Sequence, residues 1–338
     1  MTKHLFTTAA LALLMTTAAQ AADKEFPATL KAHAILPANT IIAAPADASD
    51  YLKTSGKFST ADRKRVEALG TVMGKDGVRE TGLALPFDGQ PMQGFSGIKA
   101  MEDGSFWTLS DNGFGNKLNS TDAMLMIHHV RFDWDKGTLE PQKTVFLSDP
   151  VKKAPFPIVM EGAEKRYLTG GDFDVESIQP VADGFWIGEE FGPYLLKFDL
   201  DGKLTDVIAT TVDGKPVTSP DNATLAVQAD PSKKMPAFNV KRSGGYEGLA
   251  LSKDGTKLYG LLEGPLWVDN ESVEQADGRP ALRIIELDVA SKAWTGRSWL
   301  YPLAEGGEAI GDFNMLDATT ALVIERDNGA GTADKACA

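Results

Sequence analysis

Four stretches of this chain follow one plan, and that repetition leaves few folds open to it. They are "FSGIKAMEDGSFWTLSDNG" from Phe95, "VESIQPVADGFWIGEEFG" from Val175, "YEGLALSKDGTKLYGLLEG" from Tyr246 and "IGDFNMLDATTALVIERDNG" from Ile310. Each has a polar entry, an apolar run, a turn, a second apolar run and an acid followed closely by glycine. Three of the turns are Asp-Gly, at Asp103-Gly104, Asp183-Gly184 and Asp254-Gly255. That dipeptide between apolar runs marks a β-hairpin, because both central positions of a tight hairpin turn need positive φ. The fourth stretch turns at Leu316-Asp317-Ala318.

Further strands follow each hairpin. Residues 124–132 and 144–147 read as two more strands in the first unit. "YLLKFDLDGKLTDVIAT" from Tyr194 and "LRIIELDVASKAWTGRSWLY" from Leu282 read as second hairpins in the next two. A unit therefore has four antiparallel strands, a to d. With Ser96, Glu176, Glu247 and Asp312 aligned, the units recur at intervals of roughly 65–80 residues. The surplus lies in long d-to-a connections at 150–171 and 211–245. Repeated four-stranded antiparallel units predict an all-β protein, a β-propeller. A β-sandwich would not repeat one local motif at each interval. Five or six blades are expected in the complete protein, with the last one here stopping after strand b. "GVRETGLALPF", residues 77–87, is a candidate ring-closing strand.

The N-terminus "MTKHLFTTAALALLMTTAAQAADKEF" has an early lysine, a short apolar run and the triplet Ala19-Gln20-Ala21. This is the layout of a secretory leader cleaved after Ala21, giving a periplasmic or secreted protein. The run is shorter than the roughly 20 residues a membrane span needs, and no later stretch qualifies. The expected organisation is a leader at 1–21, an N-terminal segment at 22–93 and the propeller at 94–338. A single cysteine, Cys337, excludes an internal disulfide and a cysteine metal site. The net charge of −13 argues against nucleic acid, which demands a basic stripe. A monomer acting on a small-molecule substrate is expected.

The acids fall at equivalent places. Asp111, Glu190, Glu263 and Asp327 stand at the ends of the b strands, and Glu176, Glu247 and Asp312 at the starts of three a strands. Strands a and b are antiparallel, so all seven should face one mouth of the central channel. Asp before glycine is common in turns, but glutamate has no such preference and supplies Glu190 and Glu263. Seven crowded carboxylates repel and raise one another's pKa. An oxygen-only ligand set of this kind suits Ca2+, or Mg2+ where fewer protein ligands reach it. Of these acids, Glu190 and Glu247 are candidates to accept a proton in catalysis. Arg242 and Arg326 are candidates to bind an anionic substrate, with Lys99 and Arg166 behind them.

The remaining residues of interest read as structural. His128 and His129 point to opposite faces of a strand. Trp107, Trp186 and Tyr259 fall at matching b-strand positions and read as core. Ser96 begins a strand instead of a strand-to-helix elbow, so it is not read as a nucleophile, and no Walker loop or H-E-x-x-H is present.

The motifs "GFSGIKAMEDGSFWTLSDNGFGNKLNS", "DFDVESIQPVADGFWIGEEFGPYLLKFD", "GYEGLALSKDGTKLYGLLEGPL" and "IGDFNMLDATTALVIERDNG", in that order over residues 94–331, resemble the phytase-like family of exported bacterial proteins. The resemblance implies a calcium-dependent phosphoesterase on a propeller, with esterase-like activity. It also implies that Asp111, Glu176, Glu190, Glu247, Glu263 and Asp327 match the family's recurrent acids. Two other readings stay open: a non-catalytic ligand-binding propeller of the cell envelope, and a metal-dependent lactonase or esterase.

Overall fold

The computed structural model describes residues 29–58, 65–66, 70–73, 78–226, 229–230, 232, 236–268, 272–304 and 306–327. The leader and Cys337 lie outside the described residues. Strands β1 (Gly70–Met73) and β2 (Glu80–Leu85) form a two-stranded hairpin before the repeats. The first full sheet has β3 (Phe95–Ala100), β4 (Phe106–Ser110), β5 (Met126–Asp133) and β6 (Thr138–Phe146), in that order. The second has β7 (Val175–Val181), β8 (Gly184–Glu189), β9 (Tyr194–Phe198) and β10 (Leu204–Ala209). The third has β11 (Tyr246–Leu251), β12 (Lys257–Leu262), β13 (Arg279–Asp288) and β14 (Ala293–Pro302). Strands β15 (Ala309–Met315) and β16 (Ala321–Arg326) pair as a fourth, two-stranded sheet. All pairings are antiparallel, as a meandering blade requires, and the fold is a β-propeller.

The segment read as ring-closing does something else. Glu80–Leu85 pairs with Gly70–Met73, a local hairpin that costs little loop entropy compared with reaching the far end of the chain. The inner strands meet without it: β3 packs on β7, β7 on β11, β11 on β15 and β15 on β3. The last seam is made by the Ile98 N–H to Asp312 Oδ2, at 3.2 Å, and Lys99 Nζ to Asn314 Oδ1, at 2.8 Å. Small residues let these strands approach. A Cβ on Gly97 would stand 2.8 Å from Ser177 Cα, and one on Gly248 would stand 2.6 Å from Phe313 Cβ. Gln179 of β7 donates to Leu249 O on β11 and to Asn314 Oδ1 on β15, which ties the centre together.

Apolar cores fill the spaces between blades. Leu109, Ile127, Ile178, Phe185 and Ile187 pack between the first two. Trp186, Tyr246, Leu249 and Leu258 pack between the second and third, and Leu261, Ile310 and Phe313 between the third and fourth. Trp107 lies edge-on to Phe185 with ring centres 4.8 Å apart, and Tyr259 packs with the third cluster. His128 is buried between Ser110 Oγ (3.1 Å) and Thr144 Oγ1 (3.0 Å), and His129 meets Ser105 Oγ at 2.7 Å on the opposite face.

Candidate cation centre at the channel mouth

Each a–b hairpin carries a β-bulge at the start of strand a. In the second blade Val175 pairs with Glu189 and Ser177 with Gly188, so Glu176 is the extra residue. In the third, Tyr246 pairs with Leu262 and Gly248 with Leu261, leaving Glu247 extra. The register shifts between Phe95 and Ile98, and between Ile310 and Phe313, as well. A bulge re-aims the side chain it carries, and here that side chain is an acid in the second and third blades. Counting with a period of two could not reveal this.

The b-strand acids are fixed by one repeated bond. The N–H groups of Asp111, Glu190 and Glu263 donate to the carbonyls of Gly94, Asp174 and Gly245, at 2.9, 2.9 and 2.7 Å. The glycines permit the approach: a Cβ on Gly245 would stand 2.4 Å from Glu190 Cα, and one on Gly94 would fall 2.6 Å from the Asp111 carboxylate. The second blade has Asp174 where the other two have glycine, and that substitution completes the site.

Asp174, Glu176 and Glu190 each offer a carboxylate oxygen, all within 4.8 Å of one another, and all three residues are buried. Asn112 Nδ2 donates to Asp174 Oδ2 at 2.7 Å. Asp174 Oδ1 and Glu190 Oε1 have no hydrogen-bond partner. Burial pushes Glu176 and Glu190 well above the usual carboxylate range, and the charges of Asp174, Glu247 and Glu263 add to the effect. Glu247 is half-buried and is pushed up to about 8, first by burial and then by Glu263, against the pull of Arg326. Asp111 is raised to about 6 by burial, with Asp174 contributing. Glu263 is raised by burial despite Lys241 and Arg326, and Arg326 Nη2 reaches its Oε1 at 3.0 Å. Six carboxylates thus feel one another across the mouth, with Arg326 and Lys241 as the cations beside them.

The other sequence candidates lie apart from this group or at its edge. Asp312 sits in the seam between β15 and β3, its oxygens occupied by the Ile98 and Phe313 N–H groups and by Asn314 Nδ2. Asp327 closes the described part of the fourth sheet. Arg242 is paired with Asp221 on the long loop. Lys99 is engaged with Asn314, and Arg166 is buried against Asp149 and Glu161. Two acids escaped the sequence reading. Asp174 was visible in "DFDVES" but was masked by its glycine counterparts. Glu189 looks like an ordinary strand residue, yet its buried carboxylate accepts the N–H groups of Phe191, Gly192 and Tyr194 at 2.7–2.9 Å and shapes the b–c turn.

A family model for phytase-like proteins, described by the esterase-like activity of phytase, covers residues 90–337. The chain belongs to the phytase-like family. An uncharacterized secreted protein of Arthroderma benhamiae is 29% identical to this phytase-like chain over 132 residues, a match spanning 35% of the chain and 24% of that protein. Among solved structures, the periplasmic gluconolactonase of Pseudomonas aeruginosa is 15% identical, with a TM-score of 0.31 over 77% of this chain and 75% of that one. The β-propeller domain of Cps50 from Myceliophteria thermophila is 11% identical, with a TM-score of 0.25 over 72% and 70%. At such scores neither bears on activity or substrate. Among the described residues no helix is long and apolar enough to cross a membrane.

Proposed function

We propose that this is an exported phosphoesterase whose divalent cation, Ca2+ or Mg2+, is held by Asp174, Glu176 and Glu190. The observation that carries this reading is a buried, oxygen-only cluster in which two carboxylate oxygens have no partner. Buried carboxylates left that way are costly unless a charge compensates them, and an all-oxygen donor set suits a hard cation. Bound there, the cation would supply Lewis-acid polarisation of an ester oxygen.

The chain's own residues would do the rest. Asn112 orients Asp174 through its 2.7 Å hydrogen bond. Glu247, at the rim of the cluster and pushed up to about 8, would take the proton from an attacking water, since a base works best with a pKa near the ambient pH. Arg326, held by Glu263 at the rim, would meet the negative charge of the substrate. Asp111 and Glu263 complete the acidic surround. The leader at 1–21 and the secreted relative support export, and the domain at 94–338 would carry the activity.

The test is phosphate release from phenyl phosphate and from phytate, in calcium and in chelator. Release that needs the cation and is lost in Glu247→Gln is the expected result. No release from either ester under any condition would refute the phosphoesterase reading. Hydrolysis of a lactone by the same preparation would redirect it to the lactonase class.

A further inference from the structure

Beside the acidic mouth lies a second feature that the chemistry above does not use. It is a cavity of about 530 Å³ between the long loop entering the third blade and the turn after β12. Phe238 and Trp267 both line it and are half-exposed, at 50% and 42%. The Trp267 N–H donates to Asn239 O at 2.8 Å, which fixes the two ring-bearing segments against each other. Lys241 and Arg242 line the same cavity. Arg242 is oriented by Asp221, which also accepts Lys117 Nζ through its carbonyl at 3.0 Å.

Lys241 links this cavity to the cation centre. Its side chain lies along Gly244 and Gly264, with Cγ 3.3 Å from where a Cβ on Gly264 would stand. Gly264 bonds back to Gly244 at 3.1 Å, one residue beyond the Glu263–Gly245 bond. The lysine therefore stands with one flank toward Glu263 and the other in the cavity. The rest of the described lining is proline, alanine and valine, Pro236 and Val240 among them. Among the described residues, none with a carboxylate, amide or hydroxyl side chain lines it. A sugar needs such groups for its hydroxyls, whereas an aryl ring needs only apolar faces and stacking partners.

We propose that this cavity is a subsite for an aryl anion: the ring lies on Phe238 and Trp267, and its anionic substituent meets Lys241 and Arg242. Resting on the phosphoesterase reading, it names the substrate class as aryl esters that carry a second anionic group: the charged aryl half occupies this cavity while the ester reaches the cation centre. An apolar lining with two cations at its edge is what such a ligand matches by charge and by shape.

Calorimetric titration with phenylphosphonate, which cannot be hydrolysed, tests the site directly. It is run on the full chain in chelator, so that the cation centre does not contribute. Binding is expected for phenylphosphonate and not for methylphosphonate or glucuronate. Trp267→Ala should weaken it about tenfold, the range of a lost stacking partner, and Lys241→Met should weaken it and flatten its salt dependence. Trp134→Phe, on an exposed ring of the first blade, should leave it unchanged. Equal affinity in Trp267→Ala, or glucuronate binding as tightly as phenylphosphonate, would overturn the subsite. Trp267-dependent binding without hydrolysis of any phosphate ester would support the subsite and refute the phosphoesterase reading. Hydrolysis of 4-carboxyphenyl phosphate whose preference over methyl phosphate survives Trp267→Ala would do the reverse.

Discussion

Removing the cation should make this protein less stable as the pH rises, in a window where most proteins show little change. The reasoning starts from Glu247, whose carboxyl goes from an ordinary 4.5 to about 8 in the fold. A folded state that holds a proton more tightly than the unfolded chain loses stability as pH climbs from the unfolded to the folded value. Below 4.5 both states are protonated and the group contributes nothing; above about 8 both are ionised and the full penalty applies. Other groups must be kept out of the window. His128, buried and lowered to about 4, costs stability only below its unfolded 6.5. Glu161 and Asp254, held at about 2 by their partners, matter only under acid conditions. Between pH 6.5 and 9, Glu247 alone therefore accounts for about 2 kcal/mol of lost stability, from 1.36 kcal/mol per pH decade. Glu189, raised to about 8 by burial, and Glu176 and Glu190, raised in the same direction, deepen it. The expected fall in melting temperature is roughly 4 °C or more. Thermal unfolding in chelator at pH 6.5 and pH 9 measures it, and calcium at a hundredfold excess over its Kd should add about 2.7 kcal/mol and reduce the decline. Glu247→Gln should make the chelator curve shallower by about that 2 kcal/mol share. A melting temperature that holds or rises to pH 9 in chelator, or calcium stabilisation unaffected by Asp174→Asn, would refute the reasoning.

Other perturbations test the frame that holds the acids. Asp174→Asn keeps the acceptor for Asn112 but removes a charge, so calcium-induced stabilisation should fall by at least tenfold in apparent affinity by calorimetry while the cation-free protein gains stability at pH 9. Gly245→Ala places a Cβ 2.4 Å from Glu190 Cα and should cost about 1–3 kcal/mol as the strand end shifts, with calcium binding impaired in parallel; Gly255→Ala, in open space at φ 71°, should cost only about 1 kcal/mol. Lys57, fully buried with its Nζ 2.9 Å from the equally buried Asp122, ties the N-terminal segment to the first blade. Lys57→Met should cost about 3–5 kcal/mol in chemical denaturation because it leaves Asp122 uncompensated, and Lys57→Met with Asp122→Leu should recover much of that.

The meander of each blade was readable because Asp-Gly turns state where strands reverse, and the apolar runs beside them state which segments pair. Strand β6 was read too short, at 144–147 instead of Thr138–Phe146, because its first residues are polar and face solvent. The site was harder for a different reason. Aligning repeats rewards residues that recur, and so it picked out Glu176, Glu190, Glu247 and Glu263. The same logic hid Asp174, which matters because it departs from the glycines at 94 and 245.

Recurrence also over-weighted Asp312. It occupies the right place in its unit, yet its oxygens are taken up by Ile98 of the first blade's inner strand and by Phe313 and Asn314 of its own, because β15 borders β3 at the seam instead of another unit's acid. A repeat thus specifies where a side chain can be aimed, through the bulge at each strand a. What the side chain meets depends on its neighbours around the ring, and those differ at every seam. The three acids whose oxygens lie within 4.8 Å of one another all belong to the second blade. The carboxylate cluster therefore belongs to the second blade, with Asp111 of the first and Glu247 and Glu263 of the third at its rim.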